Sequence, residues 1–334
     1  MRVVRIFLFP LVPFYFLVTW LRNKLYDLGM KKSTAYNFPV ICVGNLSVGG
    51  TGKTPMIEYL VNLLKPDYLV ATLSRGYKRK TNGFVLADQN ASAATIGDEP
   101  FQFYHKFAPD VLVAVDANRT NGIKQLRNLN KKPNVVLLDD AYQHRKVKAG
   151  FNILLTTYDN PYFTDCVLPT GNLRESKSGA QRANVIVVTK CPDNLPKTEK
   201  QTIIKAIRPK TGQSVFFSRI VYANAVISVN KTILVDNLKS FTLVTGIANA
   251  NTLVAYLQGK GLVFNHLNYN DHHEFTDTEI DNLSKHECIV TTEKDFMRLK
   301  QYATLSEKLY YLPITVKLDR QDDFNTLVRG FVKP

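Results

Sequence analysis

Cysteine is scarce in this chain and what there is stands apart: Cys42, Cys166, Cys191 and Cys288 form no C-x-x-C pair, and the histidines do not cluster. That excludes a disulfide scaffold, gives no support to a zinc ribbon, and fits a reducing compartment. Glycine and proline, at 17 and 15 residues, are too few for a fibrous or low-complexity chain, and 45% apolar with 21% charged residues is ordinary globular usage. No internal repeat or low-complexity linker is present. Acidic residues are in short supply, 28 against 43 Lys and Arg, for a formal charge of +15. The excess favours an anionic partner, whether nucleic acid, an acidic lipid surface or a phosphorylated substrate, without choosing among them. At 334 residues the chain exceeds one core of about 100–150, so two domains or one enlarged α/β domain is expected.

A bilayer-spanning run is also lacking. Residues 6–21 (IFLFPLVPFYFLVTWL) carry no charge, but they number 16, are interrupted by Pro10 and Pro13, and fall short of the roughly 20 that a span needs. Arg2 and Arg5 precede them, and Arg22, Lys24, Lys31 and Lys32 follow. The pattern reads as a monotopic anchor over 1–30, its apolar side in one leaflet and its basic flanks on anionic headgroups. A signal peptide shares the basic start and apolar middle, but no small-residue cleavage site follows.

The strand-like run 38–43, a Gly-rich turn and an apolar-periodic helix over 55–64 enclose SVGGTGKT, residues 47–54. This is G-x-x-x-x-G-K-[ST] with Ser47 in place of the first glycine. In such a loop the backbone N–H groups of Ser47, Val48, Gly49, Gly50, Thr51 and Gly52 cradle phosphate oxygens of ATP at a helix N-terminus. Lys53 reaches the outer phosphates and the Thr54 hydroxyl ligates Mg2+. A strand-end carboxylate must complete the metal site, and NVVLLDD, 134–140, supplies Asp139 and Asp140 after a continuous apolar run. Paired aspartates could instead open a helix as its cap. A guanine-reading N/T-K-x-D element is not formed: after VIVVTK, 185–190, Asp193 arrives one residue late.

Apolar runs at 40–43, 68–73, 111–115, 135–138, 152–156 and 185–189 alternate with helical patterns, which predicts an α/β fold with a mainly parallel P-loop NTPase-like sheet covered by helices. The expected organisation is the anchor over 1–30, a P-loop core over 31–215, a β-rich connector over 216–240 and a smaller α/β domain over 241–334 that could close over ATP.

Several segments together resemble the tetraacyldisaccharide 4′-kinase family of lipid A biosynthesis: GNLSVGGTGKT from Gly44, LSRGY from Leu73, GDEP from Gly97, DDAYQH from Asp139, LPTGNLRE from Leu168, DHH from Asp271 with Phe275-Thr276, and TEKD from Thr292. The likeness runs along most of the chain, and its specificity lies in the order and spacing of these segments. Ala141 stands where members commonly have Gly and Ser176 where Pro usually follows, departures that touch loop shape more than chemistry. The resemblance implies an enzyme on the cytoplasmic face of the bacterial inner membrane that moves the γ-phosphoryl group of ATP, with Mg2+, to the 4′-hydroxyl of an acylated glucosamine disaccharide 1-phosphate. Its partners would be that lipid-linked substrate and an anionic leaflet, not nucleic acid. The rival reading is a membrane-associated P-loop ATPase that moves a protein or nucleic acid.

From the residues alone, Asp98 sits in a turn-and-cap pattern; the resemblance makes it the base for the acceptor hydroxyl, beside Lys53 and Asp139 in the catalytic set. His272, rather than its neighbour His273, would orient it. Arg75, Arg119, His144, Arg174, Glu175 and His273 are the substrate-side candidates, on loops following apolar strands where α/β folds place ligands, and arginine there suits phosphate oxygens.

Overall fold

Runs of Val, Ile and Leu closed by Gly, Asn, Ser or Asp form strands buried on both faces, as a parallel sheet under helices requires. In the computed structural model, which describes residue 5 and residues 7–271 and 273–333, Val40–Asn45, Val70–Ser74, Val135–Asp139 and Val185–Thr189 are buried throughout. They belong to a nine-stranded sheet ordered Ile314–Leu318, Ser214–Tyr222, Val185–Thr189, Phe151–Thr157, Val40–Asn45, Val135–Asp139, Val70–Ser74, Leu112–Val115, Val85–Leu86. All neighbours are parallel except at the two edges. The register sets Val43 beside Asp139 and Asn45 beside Leu155, so the P-loop leaves the sheet at the edge where the Asp139 strand ends.

Alternation along Val40–Asn45 divides the interior. Val40 and Cys42 pack in one layer with Leu73, Leu138 and Val188; Ile41 and Val43 pack in the other with Met56, Leu60, Phe103 and Phe324. Each such side chain taken fully out of water contributes about 1.5–3 kcal/mol, which favours apolar residues through the sheet centre.

A six-stranded sheet follows, ordered Thr232–Leu234, Ala225–Ile227, Leu309–Leu312, Ile289–Thr292, Phe241–Thr245, Phe264–Asn268, with a parallel centre and an antiparallel hairpin at one edge. The chain does not end there. Ile314–Leu318 and the helix Gln321–Val332 return to the larger sheet, where Val316, Leu318, Phe324, Val328 and Val332 join the layer of Ile41 and Val43. The smaller sheet therefore takes 241–312 of the expected 241–334. The expected connector is split as well, since Ser214–Tyr222 extends the larger sheet and 225–234 extends the smaller one. The cause is physical: Ile314, Val316 and Leu318 form an apolar stripe of period two, which pairs with whichever sheet edge is open, not with the nearest in sequence.

The amino-terminal helix Val12–Asp27 starts with Pro13 in its first turn, where the missing N–H costs nothing. It packs through Val12 and Tyr15 while Phe14, Leu17, Val18, Trp20 and Leu21 stay exposed. Among the described residues no helix is long and apolar enough to cross a membrane. Arg2 and Ile6 of the expected anchor lie outside the described residues.

Candidate active site

The P-loop passes from Asn45 into the helix Lys53–Leu64, whose N-cap is Gly52 at φ 85°, a left-handed conformation that glycine adopts without steric cost. No side chain caps this helix among the described residues, so its first N–H groups face outward, ready for an anion. The loop is held from outside. Asn45 Nδ2 donates to the Ser47 carbonyl (2.7 Å), and the Val48 N–H donates to the Asn172 carbonyl (2.8 Å). From the far side, Thr189 Oγ1 donates to the Thr51 carbonyl (2.8 Å) and Lys190 Nζ to the Gly50 carbonyl (2.7 Å). These bonds fix the peptide planes before any ligand arrives.

Asp139 and Asp140 are adjacent yet oppositely placed. Asp139, 6% exposed, accepts from Ser74 Oγ (3.3 Å) through Oδ2, and its Oδ1 is buried with no hydrogen-bond partner among the described residues. Burial, then the charges of Asp140 and Glu99, push its carboxyl up to about 7 against Lys53 and Arg119. At Asp140 the backbone turns to φ 47°, and both carboxylate oxygens accept from Arg174 Nη1 (2.9 and 3.1 Å) while Lys53 Nζ lies 3.7 Å away. Burial opposes ionisation there, but Lys53 and Arg174 hold the Asp140 carboxyl below the usual range. Neither aspartate opens a helix. A hard cation fits the oxygen donors here: a buried Asp139 carboxylate oxygen lacking a partner among the described residues, and the Thr54 hydroxyl in the first turn of the P-loop helix. Of the paired carboxylates, Asp139 keeps that acceptor open; Asp140 is occupied by Arg174.

The loop after Val70–Ser74 approaches the start of the helix Asp98–Phe107. A Cβ on Gly97, at φ 93°, would meet the Tyr77 carbonyl at 3.0 Å, so only glycine lets these backbones touch. Gly97 is the N-cap. Asp98 therefore does not cap; it occupies the first turn and accepts from Arg298 Nε (3.0 Å) and Nη2. Arg298 lies on Glu293–Leu299, capped by Thr292, and is steadied by Asp295 (3.4 Å). Asp295 is wholly buried and accepts from the Gly246 N–H (2.9 Å) and Thr292 Oγ1 (2.7 Å). The TEKD segment thus acts by placing Arg298. Glu99, the residue after Asp98, is near enough for its charge to raise the Asp139 carboxyl.

His272 lies outside the described residues. His273 is engaged elsewhere, with Nε2 on Glu279 (3.0 Å) and its ring stacked on Tyr269 (4.7 Å), a structural setting in place of the expected substrate contact. Glu175 differs likewise. It is 2% exposed and its oxygens accept from Arg182, Gln143 and Asn23, which fills its acceptor capacity. Arg119, 3% exposed, donates to the Asp116, Ala117 and Asp139 carbonyls, and its Nε has no partner among the described residues. Arg75 is exposed. Burial, then Arg119, Lys146, Arg22 and Arg75, push His144 down to about 4, and its Nε2 is buried without a partner among the described residues. The positive charge of these four side chains keeps the imidazole neutral and favours an anion nearby.

Sequence reasoning missed Arg298, Ser74 and Lys190. Arg298 had a signal, three residues after Asp295 on one helix face. The other two had none, being brought to the site only by strand order.

The chain is similar along its length to known proteins. A tetraacyldisaccharide 4′-kinase of Flavobacterium johnsoniae is 51% identical over 100% of this chain and 98% of its own length. The enzyme of the same name from Bacteroides thetaiotaomicron is 42% identical over 98% of this chain and 93% of its own. The crystal structure of LpxK from Aquifex aeolicus in complex with ATP superposes with a TM-score of 0.79 at 31% identity, covering 99% of this chain and 100% of that one. The family described as tetraacyldisaccharide-1-P 4′-kinase matches residues 4–333, and the chain belongs to it.

Proposed function

We propose that the groups assembled at the P-loop edge of the larger sheet carry out the reaction of this family. The chain is an ATP-dependent kinase that phosphorylates the 4′-hydroxyl of a tetraacyl glucosamine disaccharide 1-phosphate. The observation that carries the site reading is the meeting of Lys53 with the strand-end pair Asp139 and Asp140, with the start of the Asp98 helix beside them. The N–H groups of 49–52 hold the phosphates, the Val48 N–H being taken by the Asn172 carbonyl, and Lys53 neutralises charge that grows on the transferring group. Asp140 and Arg174 fix the Lys53 ammonium. Thr54 and Asp139 would hold Mg2+, which when bound screens the phosphate oxygens. Asp98 takes the proton from the 4′-hydroxyl as that oxygen attacks phosphorus and the bond to ADP breaks; Arg298 fixes the direction of the Asp98 carboxylate. Arg119 and Arg75 supply a cationic seat for the phosphorylated sugar, with neutral His144 offering it a hydrogen bond.

The amino-terminal helix seats the enzyme on the cytoplasmic surface of the inner membrane without spanning it. Its exposed Phe14, Leu17 and Trp20 suit one leaflet, and Tyr15 donates to the Arg174 carbonyl (3.0 Å), joining the membrane side to the site. The basic surface then serves an anionic leaflet and not nucleic acid. By sheet membership, the larger domain comprises 31–222 with 314–333 and the smaller one 223–313.

The test is transfer of label from γ-labelled ATP to a lipid A precursor. Label in the lipid, dependent on acceptor, is expected. ATP turnover that ignores the acceptor would support the protein- or nucleic-acid-moving ATPase instead.

A further inference from the structure

A charge cluster, two buried carboxylates about a lysine that reaches solvent, lies apart from the phosphate-binding groups. Glu58, on the P-loop helix and 4% exposed, accepts from Lys106 Nζ (2.7 Å) and Gln102 Nε2 (2.8 Å). Lys106 also meets Glu293 Oε1 (3.0 Å), and Glu293 is 6% exposed, with Oε2 buried and unpartnered among the described residues. The three charged residues stand on three helices: Lys53–Leu64, Asp98–Phe107 and Glu293–Leu299.

Stability does not explain such a cluster. Taking charges out of water costs several kcal/mol per ion, and apolar residues of similar volume are often neutral or better in their place; the best-attested use of buried ionic groups is to specify register. The geometry shows what would be registered. The helix Glu293–Leu299 grips the helix Asp98–Phe107 near both ends, Arg298 on Asp98 and Glu293 on Lys106. Lys106 in turn grips the P-loop helix through Glu58, five residues beyond Lys53.

We propose that Glu58, Lys106 and Glu293 are positioning residues, whose shared salt bridge sets the register of the Asp98 helix against the P-loop helix and the smaller sheet. They touch no reacting atom. They fix where the Asp98 carboxylate stands relative to a γ-phosphate held at Lys53, so the inference rests on the reading of Asp98 as the base. An all-apolar cluster would fill the same volume, but apolar contacts slide where a three-way ion pair does not.

The decisive variant carries Glu58→Leu, Lys106→Met and Glu293→Leu together. Its thermal midpoint should equal or exceed that of wild type, while kcat for lipid phosphorylation falls fivefold or more and KM for ATP stays within threefold. A folded triple variant with kcat reduced by less than fivefold overturns the proposal. So does a loss of kcat that appears only with a matching loss of ATP binding, because that locates the effect in the P-loop. Should the triple variant fail to fold, the isosteric Glu293→Gln takes the decision on the same thresholds. Asp98→Asn is assayed in parallel to separate the two readings. Wild-type kcat in that variant overturns both, whereas an impaired Asp98→Asn beside an unimpaired triple variant overturns the triad alone.

Discussion

The two sheets contribute to one site by different means. On the larger sheet the functional groups are fixed through the backbone: a loop whose Ser47, Gly50 and Thr51 carbonyls and Val48 N–H are each bonded from outside, and carboxylates at the end of a strand registered to its neighbour. On the smaller sheet they are fixed by charge, Asp295 on Arg298 and Arg298 on Asp98, across 200 residues of sequence. A loop held by several independent bonds tolerates the loss of one, whereas placement by charge is lost with any one partner. The ATP half of the site should therefore resist substitutions outside its own motif, and the acceptor half should not.

The largest expected effect breaks the backbone-held side at its one essential side chain. Lys53→Ala should lower kcat by two or more orders of magnitude, as loss of a charge acting on the transferring group does; steady-state kinase assays check it. Next comes the charge-held side. Arg298→Met should lower kcat about tenfold, a barrier increase of roughly 1.4 kcal/mol, with ATP affinity unchanged by equilibrium titration. Equal losses in both would erase the contrast between the halves.

A smaller effect sharpens the contrast through pH. Burial, then Glu293, push the Glu58 carboxyl up to about 7 against Lys106. Tyr311, on Leu309–Leu312, feels the same three charges. A carboxyl raised in the folded state binds its proton more tightly there, so its contribution to stability is full at acid pH and is lost as pH rises toward 7. Glu58→Gln lacks that titration. Relative to wild type it should gain thermal stability between pH 5 and pH 8; a difference that stays flat across that range would contradict an upward shift at Glu58.

The backbone-held half was legible because its information is local. SVGGTGKT and LLDD carry loop, lysine, hydroxyl and carboxylates in short stretches, and the strands at 40–45, 135–139 and 185–189 lie where their apolar runs predict. The charge-held half was not. Arg298 and Lys106 look like any surface cation in a chain with 43 of them, and only the packing of the two helices brings Arg298 to Asp98. Glu175 and His273 show the converse, since a polar residue beside a motif can be engaged by structural partners, fully at Glu175 and through Nε2 at His273. The return of 314–332 to the larger sheet was hidden for the same reason as Arg298, as both depend on contacts far apart in the chain.

The central claim is that ATP is held by the P-loop side while Asp98, placed from the smaller sheet, acts on the acceptor alone. Asp98→Asn tests it most directly, with kcat for lipid phosphorylation, ATP dissociation constant and thermal midpoint measured on one preparation. Because Gly97 is the N-cap, the substitution leaves the helix start intact. The account predicts a kcat loss of more than tenfold, ATP affinity within threefold of wild type and a nearly unchanged midpoint. A variant that keeps more than a tenth of wild-type kcat, or loses kcat only in step with ATP affinity, would contradict it.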